Sequence, residues 1–209
     1  MGASSRVPTR PRSPRRGASG SVRARSWASF AAVTSLALGC FSPVEDDLIA
    51  ELGPEVDGLE EGQYHRYGQP CLVCHGGYKA PLFAAAGTVF ATPADDIPVA
   101  GVVVTLTDAN GEKYSAPTNC AGNFFITDSE WQPVFPLRAE IECTLPDGTK
   151  RRSVMQTRIN RDGGCGSCHE PGVANQFSPG QVYCMPEQPA EPFTVPANCP
   201  GGPNGVGGE

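Results

Sequence analysis

Histidine is scarce in this chain, with three among 209 residues. Two metal sites with paired imidazole ligands would need four, so at least one such site would be incomplete. Methionine, also three, offers few substitutes. Aromatic residues make up 8% and charged residues 18%, against 25 Gly and 21 Pro, so one large apolar core is excluded and much of the chain is turn or irregular. No apolar run reaches the roughly 18–20 residues that a membrane-spanning helix needs. Basic residues are also thin after residue 39. Seven arginines and no acid precede that point, and the nine remaining basic residues face 22 acidic ones, a balance of −13. Without a basic patch, nucleic acid is not an expected partner.

What is present begins with an address. Arg23 and Arg25 precede an apolar run from Trp27 to Leu38, which ends in Leu36-Ala37-Leu38-Gly39-Cys40. A basic region, a short apolar region and a small residue before a cut describe a secretory signal. The ending resembles a bacterial lipoprotein signal, which implies a lipid attached at Cys40, although Ala37 stands where that family usually has Leu. Residues 1–39 therefore read as extension and signal, and residues 40–62 as an acidic tether kept extended by like charges. Export to the periplasm or outer membrane follows, and outside the cytoplasm structural disulfides are permitted.

Nine cysteines dominate the remainder. Two pentapeptides repeat, Cys71-Leu72-Val73-Cys74-His75 and Cys165-Gly166-Ser167-Cys168-His169. Two thiols three residues apart on one turn can form thioethers with one porphyrin, and the following imidazole can reach its iron. In these residues the chain resembles the multihaem c-type cytochromes. The resemblance implies two covalent haem c groups with their iron, His75 and His169 as proximal ligands, and a metal-binding electron carrier. It covers the pentapeptides and little else. Two other readings fit the same cysteines. Four thiolates could clamp one zinc or iron ion in rubredoxin-like fashion, or each Cys-x-x-Cys could work as a redox-active dithiol.

For the distal iron positions, His65 in Tyr64-His65-Arg66-Tyr67 is the one histidine left over, and Met185 in Tyr183-Cys184-Met185-Pro186 is the better-placed methionine; Met155 falls in an apparent strand. Residues 63–85 and 161–199 form the two expected haem-binding segments.

Residues 86–160 have a different character. Gly87–Ala91, Ala100–Thr107, Asn123–Ile126, Leu137–Thr144 and Lys150–Arg158 read as short strands, with turn signals at Asp108-Ala109-Asn110-Gly111 and Asp147-Gly148. Val102, Val104 and Leu106 alternate as a half-buried strand requires. The fold expected is mostly β, a small sandwich flanked by irregular haem-binding segments. The pattern Pro98-Val99-Ala100-Gly101-Val102-x-Val104-x-Leu106 with Thr118-x-x-Ala121-Gly122-x-Phe124 is similar to the transthyretin-like, carboxypeptidase-regulatory-like sandwiches, which implies an accessory role without catalytic residues. Disulfides Cys120–Cys143 and Cys184–Cys199 would then account for the other four cysteines, and residues 200–209 read as a Gly-rich tail.

The function expected from these features is electron transfer by two haems in an exported lipoprotein, with a redox partner of basic character drawn to its acidic surface. A small haem enzyme, a peroxidase or oxyanion reductase, and a haem-based sensor are the competing classes.

Overall fold

The computed structural model describes residues 42–55, 62–77 and 79–200, and the account below concerns the unit that begins at Pro43. The proposed lipid site Cys40, the signal, part of the acidic segment and the Gly-rich tail lie outside the described residues.

Two short helices and seven strands follow in order: α1 Pro43–Glu51, α2 Leu72–His75, β1 Phe83–Thr88, β2 Val103–Thr107, β3 Lys113–Pro117, β4 Asn123–Thr127, β5 Arg138–Thr144, β6 Lys150–Val154 and β7 Gly163–Gly164, with a 3-10 turn at Cys165–Ser167. The strands form two open sheets. One runs β3-β2-β5-β6, antiparallel throughout; the other runs β4-β1-β7, with β1–β4 antiparallel and β1–β7 parallel.

The four-stranded sheet grows from its central hairpin. Asp108 closes it by accepting the Asn110 and Glu112 amides at 2.8 and 2.9 Å through Oδ1, while Oδ2 takes the Val134 amide at 3.1 Å. That third bond ties the hairpin tip to the loop before β5. Val102, Val104 and Leu106 then point inward and are buried, and they meet Ile141 and Leu137 in one apolar cluster. Ala85, Val89, Phe124 and Ile126 enter the same cluster from the other sheet.

Two disulfides reinforce this core, Cys120–Cys199 and Cys143–Cys184. The expected pairs Cys120–Cys143 and Cys184–Cys199 are corrected. Cys143 sits on the inward face of β5, and the tail brings Cys184 into the same buried cluster, its amide bonded to the Phe90 carbonyl at 2.9 Å. Burial on a shared core, not nearness in sequence, chooses the partner.

The expected mostly-β sandwich with haem-binding flanks is also corrected. Among the described residues the architecture is mixed α/β, with two short helices and two open sheets, and no ladder joins one sheet to the other. The likeness to transthyretin-like sandwiches therefore stops at the strand pattern. Strand β3 was not expected because Lys113-Tyr114-Ser115-Ala116-Pro117 buries only Ala116. Strand β6 is shorter than expected and ends at Val154. The acidic segment holds α1, and Asp46 pairs with Lys79 at 2.7 Å while Glu55 pairs with Arg66 at 3.0 Å.

Cys143→Ala/Cys184→Ala removes a bridge closed across a sequence separation of 41. Loop entropy puts its contribution at about 4 kcal/mol. Urea unfolding of the mature protein should show that loss, and an unchanged midpoint would show that the bridge is not stabilising.

Candidate thiol site

The two Cys-x-x-Cys-His segments adopt the same turn. In the first, the His75 amide donates to the Cys71 carbonyl at 2.9 Å; in the second, the His169 amide donates to the Cys165 carbonyl at 2.9 Å. In each segment the first thiol thus opens a helical turn, the second closes it, and the imidazole follows directly.

Strand β7 carries the second segment to the first. Gly163 and Gly164 pair with Ala85 and Ala86 of β1. A methyl group on Gly163 would lie 2.1 Å from the Ala84 carbonyl oxygen, so only glycine fits. The segments then run side by side. A methyl on Gly166 would stand 2.9 Å from Pro70 Cα, and one on Gly164 would stand 3.4 Å from Leu72 Cβ. Residues 166, 165 and 164 thus pass residues 70, 71 and 72 in antiparallel sense. The backbones at Cys165 and Cys71 therefore run close to each other.

The four thiols are unpaired and differ in environment. Cys71, Cys74 and Cys165 are half-buried and Cys168 is exposed. Burial pushes the Cys165 thiol up to about 12, and negative charge on Cys71, then Cys168 and Asp162, acts in the same direction. Burial pushes Cys71 up to about 11, with charge on Cys74 adding to it. The first thiol of each pair therefore holds its proton, and in the second pair its partner Cys168 is exposed.

The imidazoles are fixed from behind. A backbone carbonyl only accepts, so the Pro81 carbonyl, 2.8 Å from His75 Nδ1, places the proton on that nitrogen. The Gly180 carbonyl, 2.8 Å from His169 Nδ1, does the same. In the neutral ring Nε2 is then the basic nitrogen at both positions. His65 has the other tautomer, since its Nδ1 accepts the Gly62 amide at 3.1 Å.

His75 lies flat on Phe83, with ring centroids 3.9 Å apart and 4° between planes, and Phe83 stacks on Phe125 at 5.0 Å. The His65 ring is 6.0 Å from that of His75. These rings line a cleft of about 290 Å³ together with Cys71 and Cys74. Its upper wall is tied down through Asn123, whose Nδ2 donates to the His65 carbonyl at 3.0 Å.

This arrangement corrects the haem expectations. Cys165 is wedged at the edge of the apolar core, where a methyl on Gly87 would come within 2.7 Å of its Cβ. Among the described residues no group of three or more His, Cys, Asp or Glu could hold a metal ion. The cysteines that do pair are the long-range ones. Covalent haem c, iron, and haem-based electron transfer, catalysis or sensing are accordingly set aside, together with the resemblance to multihaem cytochromes.

Of the remaining sequence candidates, His65 is brought to the first motif. Met185 belongs instead to the core edge, where its sulfur takes a contact from the Arg151 guanidinium at 3.3 Å. Sequence reasoning missed Gly163, Gly87 and Phe83. The Gly163-Gly164 pair just before Cys165 is a readable sign of close backbone approach; Phe83 gives no such sign. No family model, no curated protein and no solved structure matches this chain.

The first thiols of the two pairs make stability depend on alkaline pH. Below about 9, the ordinary thiol value, folded and unfolded chains are both protonated. Above it the unfolded chain loses protons that folded Cys71 and Cys165 keep, so stability falls through pH 9 towards 11 and 12. Urea midpoints measured between pH 7 and 10.5 should decline, and Cys71→Ser/Cys165→Ser should flatten the decline. An identical slope in the double variant would refute the assignment.

Proposed function

We propose that this chain is an exported, lipid-anchored thiol–disulfide exchange protein that acts on a redox partner polypeptide. One observation carries the reading: two Cys-x-x-Cys turns, whose four thiols are unpaired, are carried alongside each other, while four other cysteines among the described residues are bridged. The bridged cysteines support an oxidising compartment, where idle thiols would not persist.

The chemistry follows from the exposure of the second pair. The Cys168 thiolate attacks a disulfide of the partner, one partner sulfur leaves as thiolate, and a mixed disulfide forms. Cys165 then attacks Cys168 Sγ, and the second partner sulfur leaves. The partner gains two electrons and two protons, and the protein holds a Cys165–Cys168 disulfide. Burial of Cys165 pushes its thiol up, so the second step speeds up as pH rises. The acidic balance of the chain after residue 39 favours a basic partner surface.

Glutathione disulfide tests the exchange. The mildly reduced mature protein should form a mixed disulfide and then release glutathione, the release accelerating about tenfold per pH unit between 7 and 9. Cys168→Ser should slow the first step at least about a hundredfold, and Cys165→Ser should stop at the mixed disulfide. Exchange by Cys168→Ser at the wild-type rate would overturn the reading.

Attachment is tested separately. Cells fed labelled palmitate should label the protein through Cys40, and Cys40→Ser should abolish both label and membrane fractionation. A label that survives the substitution would overturn the anchor.

A further inference from the structure

We infer that Cys71 and Cys165 form an inter-motif disulfide through which the second Cys-x-x-Cys pair passes its oxidation to the first. The inference rests on the exchange reading above and extends it to the first thiols of the two motifs.

The argument is geometric. Residues 164–166 pass residues 70–72 in antiparallel sense, with Gly166 against Pro70 and Gly164 against Leu72. The residues between these two contacts are Cys165 and Cys71, whose backbones therefore run close to each other. Glycine on both sides of Cys165 removes the side chains that would separate the two backbones, and Gly87 beneath it leaves room for its sulfur, 3.1 Å from where a methyl would lie. Charge on Cys71 is felt at Cys165, as neighbours across a narrow gap require. Cys71 and Cys165 are also the first members of their pairs. A cysteine that serves only as the resolving thiol of its own motif has no reason to face the resolving thiol of the other.

Each step balances. After the partner disulfide has oxidised the second pair, Cys71 thiolate attacks Cys165 Sγ. The Cys165–Cys168 bond breaks, Cys168 leaves as thiolate, and Cys71–Cys165 forms. Cys74 thiolate then attacks Cys71 Sγ, Cys165 leaves, and Cys71–Cys74 forms. No further oxidant is consumed. The second pair returns to the dithiol state, and the oxidation now sits beside the cleft lined by Cys74, His65, His75 and Phe83. A dithiol polypeptide docking there restores the first pair. The outward thiol and the cleft thiol thus serve two different partners, connected through a buried pair.

Cys74→Ser/Cys168→Ser leaves Cys71 and Cys165 as the only unpaired cysteines among the described residues. Diamide treatment followed by trypsin without reduction should join fragment 67–79 to the fragment that begins at residue 162. Cys71→Ser/Cys168→Ser, which leaves Cys74 and Cys165, should give at least about tenfold less of the joined species, the neighbour being on the wrong side of its turn. A second measurement needs no variant. Wild-type protein oxidised with one equivalent of glutathione disulfide and quenched in acid over time should show Cys165–Cys168 first and Cys71–Cys74 later. Absence of the joined fragment, or a Cys165–Cys168 disulfide that never passes to the first pair, overturns the relay and leaves glutathione exchange at Cys168 intact. A joined fragment in a protein whose Cys168 fails to exchange overturns the exchange reading instead.

Discussion

The whole site hangs on a two-residue ladder. Gly163 and Gly164 pair in parallel with Ala85 and Ala86, at the edge of a sheet whose other neighbour is β4. A ladder this short contributes little by itself. Its force comes from what surrounds it: Ala85 lies in the apolar core, Asp162 Oδ1 accepts the Gly164 amide at 3.1 Å, and Cys165 packs against the same core one residue later. Any side chain at Gly163 would collide with β1 backbone, so the approach is all or nothing. With it, two distant sequence segments lie side by side. Without it, each is an isolated turn.

The rest of the fold serves as a platform for that approach. The Asp108 hairpin and the alternating apolar residues of β2 set the four-stranded sheet, and the inner disulfide joins β5 to the tail strand segment that bonds Phe90 and Ala91. Thr88, at the end of β1, accepts the Gly68 amide at 2.8 Å and donates to Asn123 at 2.7 Å. This short polar chain fixes the loop before the first motif, as the β7 ladder fixes the strand before the second. Both motifs are thus positioned by the two sides of one strand. Their imidazoles are oriented by carbonyls that arrive later in the chain, at Pro81 and Gly180.

Much of this was legible in the sequence, but not the part that joins it. Alternation in Val102, Val104 and Leu106 announced β2, and Asp108 to Gly111 announced its turn, because period-two burial and turn chemistry are local. The pentapeptides at 71 and 165 marked the site residues for the same reason. Cysteine pairing was not legible, since Cys143 meets Cys184 through a core assembled from both sheets. The haem reading failed on the same point: spacing within a motif says nothing of what a second motif does to the space around it. Phe83 and Phe125 became cleft walls only once β1 and β4 were paired.

The bridges have an order along the chain that bears on the cluster. Cys120–Cys199 encloses Cys143–Cys184, and residues 165–169 fall inside both closed rings. Residues 71–75 precede every bridged cysteine and are held by non-covalent bonds alone. The two halves of the cluster are therefore unequally restrained. The first turn lies outside every closed ring, whereas the second is covalently leashed on both flanks.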